Sequence, residues 1–449
     1  MASDHQSSES TATSPLAAEK ELAGDIEKVE APEYGEAPDG GLKAWSVVAC
    51  YFVLAVVSWG TSLFSWSVFL GYYYGANVFP GTSLTLYTLT GGFTLAAGTV
   101  AAPFLGALAD RFGYRPVVIG GAFLSGISYI IASFAGPGQV WMIVLFQGIT
   151  NGIGAQASWM VALAAIPTWF TTKTGLAMSV ASLGSPIGGF AFSNLTQYLL
   201  DRVGLAWTLR TLGFICIGVI GVAALGVSSR IPPQPKKQTF DPKTFKEPVF
   251  ILCFIGSIVS NFSATLPLFY MTSYGAQLGI DTTTVTWILS FLNLATVVSR
   301  FIYGSLNNIV GPLNILIFCN IVAGVISLAL WRNATTYGTL LAFALLYGAS
   351  GAQFTSQLPI VVPSIWGAED SASKLGVMLA SLTFGSIFGN FIGGRILDAN
   401  TYPNPYSPLG FSQDYTTVQI YTGVIWLISA AIFIAMRLKI TGFKLLVTV

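Results

Sequence analysis

Arg300 lies inside an apolar run, 282–303, that contains no aspartate, glutamate or histidine. A guanidinium stays charged and offers a planar fork of N–H donors that matches a carboxylate, and stripping it of water without a partner is expensive. In a run of membrane-spanning length, such a residue marks a place where an organic anion could supply the missing charge. The alternative is an arginine that snorkels to the nearer interface or spends its donors on backbone carbonyls. Asn293 and Thr296 precede it by seven and four residues, a spacing that puts all three on one face of a helix. Gln353 and Gln357 share a face of another run, and Asn151, Gln156, Asn261 and Asn390 carry amides into three more. Neutral groups of this kind bond a ligand where they face a cavity. Elsewhere they bond a neighbouring helix, at about 0.6–2 kcal/mol per contact. Trp66 and Trp159 could wall an aromatic ligand or serve as packing.

Covalent chemistry finds little support. The single histidine is His5, in a polar stretch, and Cys50, Cys216, Cys253 and Cys319 all lie in apolar runs. A histidine or thiolate metal site, a disulfide framework and His-based acid–base catalysis are therefore not expected. No G-x-x-x-x-G-K-[ST] loop is present to bind ATP. An enzyme is not expected, nor is a cofactor or a metal.

The medium that must position these residues is a bilayer. Of 449 residues 53% are hydrophobic and only 9% charged, with a mean hydropathy of +0.68. A soluble domain carries about 25% charged residues, so a soluble globular protein is excluded, and a net charge of +1 argues against a nucleic-acid partner. Breaks at charge, proline and glycine clusters leave twelve runs near the roughly 20 residues that span a bilayer core. They are 45–69, 84–108, 116–135, 140–164, 174–199, 205–227, 248–272, 282–303, 313–331, 338–362, 374–397 and 418–437. With both termini in the cytoplasm, fifteen lysines and arginines fall on the inner side and only Arg202 and Arg332 on the outer, which sets the orientation. The expected organisation is a disordered acidic tail, 1–44, a six-helix bundle, 45–227, a basic cytoplasmic linker, 228–247, a second six-helix bundle, 248–437, and a cytoplasmic tail, 438–449. The Asn333-Ala-Thr335 sequon falls in an outer loop as a candidate glycosylation site.

The two bundles repeat. Gly106-Ala-Leu-Ala-Asp110-Arg111-Phe-Gly113 is echoed 198 residues later by Gly304-Ser-Leu-Asn-Asn308-Ile309-Val-Gly311. Gly154-Ala155-Gln156 recurs as Gly351-Ala352-Gln353, and Gly184-Ser185 with Gly188 as Gly385-Ser386 with Gly389. Parallel repeats of this kind bind substrate at their interface and rock around it. The fold class expected is an all-α membrane protein of twelve transmembrane helices in two parallel six-helix repeats. Glycines in the fifth and eleventh runs permit close helix packing, and Pro167, Pro186, Pro359 and Pro363 can kink or end helices.

The segment Gly106 to Pro116, GALADRFGYRP, resembles the signature loop of the major facilitator superfamily. Asp39-Gly-Gly-Leu-Lys43-Ala-Trp45 and Trp169-Phe170-Thr-Thr-Lys173-Thr-Gly-Leu-Ala-Met-Ser-Val-Ala181 resemble the two motifs of its monocarboxylate porters, closest to fungal members, over about 38–440. The resemblance implies a gate at Asp110 and Arg111, with Arg115 close by, and a substrate contact at Arg300. A carboxylate at the end of a helix can also cap a neighbouring helix or pair with a base on elementary grounds. Thr296 and Phe64 stand where the animal proton symporters carry an aspartate and a lysine, so proton-coupled lactate transport by that mechanism is not expected. Phe64 suggests a larger or more hydrophobic substrate.

The expected function is secondary transport of a small organic acid or secondary metabolite by alternating access, tilted toward export from a multi-pass place in the plasma membrane. The alternatives are a monocarboxylate uptake permease and, from another class, a receptor or transceptor that binds without transport. The expected partners are a small organic anion and membrane lipid; no partner protein is indicated.

Overall fold

The computed structural model describes residues 40–163, 166, 169–170, 174–228, 242–404 and 411–442. Nearly all of these are helical, and among them nine helical stretches are long and apolar enough to cross a bilayer. The helices are α1, Leu42–Gly75; α2, Leu84–Phe112; α3, Tyr114–Ala132; and α4, 140–163, which contains a π-helical stretch at Ile143–Thr150. There follow α5, 174–203, and α6, 205–226; α7, Pro248–Gln277; and α8, Thr282–Val310. The chain continues with α9, Pro312–Trp331; α10, Tyr337–Ser350; α11, Phe354–Ala399; and α12, Thr416–Thr441. A short antiparallel hairpin, β1 (Thr401–Pro403) on β2 (Phe411–Gln413), joins α11 to α12.

The connections are short where glycine allows it. Gly204, with φ 74°, is the only break between α5 and α6. Gly113 and Gly311 have φ 88° and 90°, and each alone separates consecutive helices, α2 from α3 and α8 from α9. An L side chain is strained at such a φ. The two lie 198 residues apart, the offset of the sequence repeat, and so do Gly81 and Gly279, at 80° and 76°.

One element departs from expectation. Hydropathy breaks the chain between 362 and 374, yet α11 runs unbroken through that interval for 46 residues. Charge interrupts an apolar run without interrupting a helix, since glutamate, alanine and serine are all tolerated there, and Pro359 and Pro363 do not end it. The tails expected at 1–44 and 438–449 and the linker expected at 228–247 fall largely outside the described residues.

The packing is inverted relative to a water-soluble bundle. Phe104 is 75% exposed and Val222 70%, whereas Thr88, Asn151, Ser260, Asn293 and Gln353 are fully buried. Lipid is the solvent for the first set, and the second finds its hydrogen bonds inside. Two ends can be told apart. The linker end carries 242–247, where Glu247 Oε2 meets Lys374 Nζ at 3.6 Å and accepts from Trp366 Nε1 at 3.0 Å. The far end carries the α1–α2, α7–α8 and α11–α12 connections.

Candidate functional site

The N-terminal half, α1–α6, meets the C-terminal half, α7–α12, along seams stitched by side-chain hydrogen bonds. Ser67 Oγ of α1 lies 2.7 Å from Thr272 Oγ1 of α7. Thr88 Oγ1 of α2 lies 3.1 Å from the Tyr270 hydroxyl, and Thr99 Oγ1 of α2 lies 2.8 Å from Thr383 Oγ1 of α11. Between α5 and α8, Asn194 Nδ2 donates to Ser290 Oγ at 2.7 Å, and the Phe190 and Trp287 rings meet edge to face at 6.0 Å. Hydroxyl and amide contacts can be exchanged for others at small net cost, which suits surfaces that part and rejoin.

Arg300 reaches across the α5–α8 seam. Its Nη1 donates to the Ser182 carbonyl at 2.7 Å and reaches Ser185 Oγ at 3.4 Å. Arg300 thus spends a donor on a backbone carbonyl, as in the alternative weighed above, and the reason lies in α5. Pro186 has no N–H, so the carbonyl four residues earlier, that of Ser182, lacks its helical donor. The helix breaks at Leu183 and resumes at Gly184. Arg300 bonds this acceptor, which Ser185 Oγ also bonds at 3.2 Å. Its charge is still not neutralised: Lys374–Glu247 is the one ion pair among the described residues. Arg300 Nε and the fully buried Tyr51 hydroxyl of α1 both lack a hydrogen-bond partner, and the two groups are close enough to interact electrostatically.

The face shared by Asn293, Thr296 and Arg300 is divided between two neighbours. Asn293 packs on Gly189 of α5, where an added Cβ would come within 2.7 Å of its side chain. Thr296 turns to α10 and donates to the Gly348 carbonyl at 2.9 Å. Thr296 sits about 60° round the helix from Asn293 and about 40° from Arg300, enough to send a short side chain to a different helix. Gln353 bonds Ser299 Oγ and accepts from Ser356 at 3.1 Å. Asn151 joins Tyr129, at 3.1 Å, to Ser125. Asn261 donates to the Leu382 carbonyl at 2.6 Å and to Ser386 Oγ at 2.9 Å. Asn390 accepts from Thr265 at 3.0 Å and donates to the Ser386 carbonyl at 2.6 Å. These four amides brace helices in this conformation. Asn293 Oδ1 and Gln357 Oε1 are buried without a hydrogen-bond partner, as are Arg300 Nε and the Tyr51 hydroxyl, so of the candidate site residues these keep hydrogen-bonding capacity to spare.

Gln156 lines a small cavity of about 20 Å³, room for about one water, between α1, α2 and α4, with Ser58, Trp59, Ser62, Thr94 and Gly152. None of its lining residues is charged. Trp59 meets Trp159 edge to face at 5.2 Å, and Ser58 Oγ is buried without a partner. Phe64 is half-buried on the π turn Gly60–Phe64 and is not among the lining residues. At the linker end Arg111 is exposed beside the Phe112 ring, at 5.3 Å, and Arg115 Nε donates to the Val227 carbonyl at 3.4 Å. The side chain of Asp110 lies outside the described residues. Asn333 is exposed and donates to the Ala329 carbonyl at 2.8 Å.

The family model described as Major Facilitator Superfamily matches residues 47–277 and 249–441. The MFS transporter asaE of Aspergillus flavus is 30% identical over 441 residues, covering 97% of this chain and 94% of that protein. The fujikurins efflux protein of Gibberella fujikuroi is 26% identical over 414 residues, covering 91% of this chain and 85% of that protein. Among solved structures, the nucleoside transporter NupG superposes with a TM-score of 0.65 at 15% identity, covering 88% of this chain and 99% of that one.

Proposed function

The chain belongs to the major facilitator superfamily, and from that premise we propose that it is a secondary transporter that exports a small organic metabolite by alternating access between its two halves. The observation that carries this reading is a family match over both halves around seams made of exchangeable side-chain hydrogen bonds. Export follows from the relatives, one of which is named for efflux of fujikurins. The monocarboxylate porter motifs support a place in that subfamily.

The topology proposed is twelve spans in two parallel bundles, 45–227 and 248–437, with the linker end, both tails and the linker in the cytoplasm and the far end outside. The stretch Leu176–Gly226 is 51 residues long, about 77 Å of helix, enough for two crossings divided at Gly204. The α4 segment, and α10 together with the first part of α11, supply the remaining spans. Cysteines introduced at Gly138 and Gln238 should then react with an impermeant thiol reagent from outside and inside the plasma membrane respectively; the opposite pattern reverses the orientation. In this topology Asp110, Arg111 and Arg115 form the inner gate.

The substrate proposed is an organic anion whose carboxylate meets Arg300 and the Tyr51 hydroxyl, while the open acceptors Asn293 Oδ1 and Gln357 Oε1 would take hydroxyl or N–H donors of the same molecule. The support is an arginine whose charge has no carboxylate against it and whose Nε is unused. A second reading, a neutral metabolite, is favoured by the bond Arg300 already makes to the Ser182 carbonyl. Flux into proteoliposomes, over a panel of aromatic acids and their neutral esters with and without a pH gradient, tests the proposal. Absence of flux for every member rejects it in favour of a receptor.

A further inference from the structure

We propose that Asp398 is the latch of the far-end gate: from the last turn of α11 in one half, its carboxylate holds the first turn of α2 in the other. It accepts the backbone N–H of Leu84 at 3.0 Å and of Thr85 at 3.1 Å, and it also accepts the Thr85 hydroxyl. These groups are more than 300 residues apart in the chain. The first four N–H groups of a helix have no partner within it, and the helix N-terminus favours negative charge. A carboxylate there makes charge-assisted bonds about twice as strong as neutral ones.

The repeat shows why this contact belongs to the gate and not only to the fold. Ser83 starts α2 and Asp281 starts α8, 198 residues apart. Asp281 completes its own helix, accepting from the N–H groups of Thr283 at 3.1 Å and Thr284 at 3.4 Å. At the equivalent start of α2, Ser83 takes only the Leu86 N–H, at 3.3 Å, and the acid comes from the opposite half. The first turn of α2 is thus completed only while the two halves meet at the far end. The other ties of the hairpin at that end are neutral. Gln413 Nε2 donates to the Tyr74 hydroxyl at 3.2 Å, and Gln277 Nε2 donates to the Gln413 carbonyl at 2.6 Å. Asp398 supplies the charged contact, and the closed far end depends on it.

The inference rests on the alternating-access reading, and its test is separable from that reading. Ser67 is buried in the α1–α7 seam, so a cysteine there reports opening. Alkylation of Ser67→Cys in the full-length protein by a membrane-impermeant maleimide, above the background of the four native cysteines, is the readout. Asp398→Asn should raise its rate by roughly tenfold, the loss of bonds to a charged acceptor. Ser83→Asp should raise it comparably. That variant gives α2 an acid of its own, as α8 has, so the helix stays capped while Asp398 is displaced and repelled. The two together should exceed neither alone. Unchanged rates in both variants, in protein that elutes as a single folded species, would overturn the latch. A faster rate in Asp398→Asn with no change in Ser83→Asp would also overturn it, since it would make Asp398 merely a structural cap. Absence of flux in the unmodified protein would reject the transport reading and leave the labelling result to decide the latch by itself.

Discussion

Arg300→Ala is expected to weaken binding of a carboxylate substrate by two to three decades while leaving a neutral ester of the same compound nearly unaffected. Breaking a desolvated ion pair costs about 3–5 kcal/mol, at 1.4 kcal/mol per decade. Arg300→Lys should recover only part of the loss, because an ammonium is a point charge without the fork. The substitution also removes the brace to the Ser182 carbonyl, so a fall in stability must be separated from a fall in affinity. Pro186→Ala does this. It returns an N–H to α5 that can bond the Ser182 carbonyl, so it should restore stability to Arg300→Ala without restoring carboxylate binding. A shift of less than tenfold in folded Arg300→Ala would make Arg300 a brace alone and favour a neutral substrate.

The second large effect is on stability. A Cβ added at Gly188 of α5 would lie 2.1 Å from the Val56 carbonyl oxygen of α1, and the obstructing atoms are backbone. No rotamer change relieves that contact, so α1 and α5 must separate. Gly188→Ala should lose about 3 kcal/mol, the upper end of overpacking costs, or fail to accumulate. Gly120 of α3 has nothing within 4 Å of an added Cβ, and Gly120→Ala should be neutral within about 0.5 kcal/mol. Thermal unfolding of the two variants in detergent compares them directly, and equal midpoints would contradict the packing.

Much of this architecture is legible in the chain. The apolar runs mark the helices because lipid demands it, and the repeated Gly113 and Gly311 mark the tight turns because few other residues take that φ. The course of α11 was not legible, since hydropathy measures solvent preference and not helix continuity. The candidate site divides the same way. Arg300 stands out as a charge in an apolar run, yet its partner is a carbonyl that lacks a helical N–H because of Pro186, 114 residues earlier in the chain. The signal was present, a proline four residues after an acceptor, but only the packing says which donor arrives. Asn151, Asn261, Gln353 and Asn390 have the same residue types as Asn293 and Gln357. What separates brace from open acceptor is the neighbour each one meets. Asp398 at a helix end carried no motif at all, because its partner is the backbone of another helix.

The central claim is alternating access, and reciprocal accessibility tests it most directly. One cysteine at Ser67, toward the far end of the α1–α7 seam, and another at Ser185, beside Arg300 in the α5–α8 seam, should be alkylated in separate proteins reconstituted in a single orientation. Saturating substrate applied from the linker side should change the two rates in opposite directions, one end closing as the other opens. Rates that move together, or that ignore a substrate shown to bind, would contradict the account.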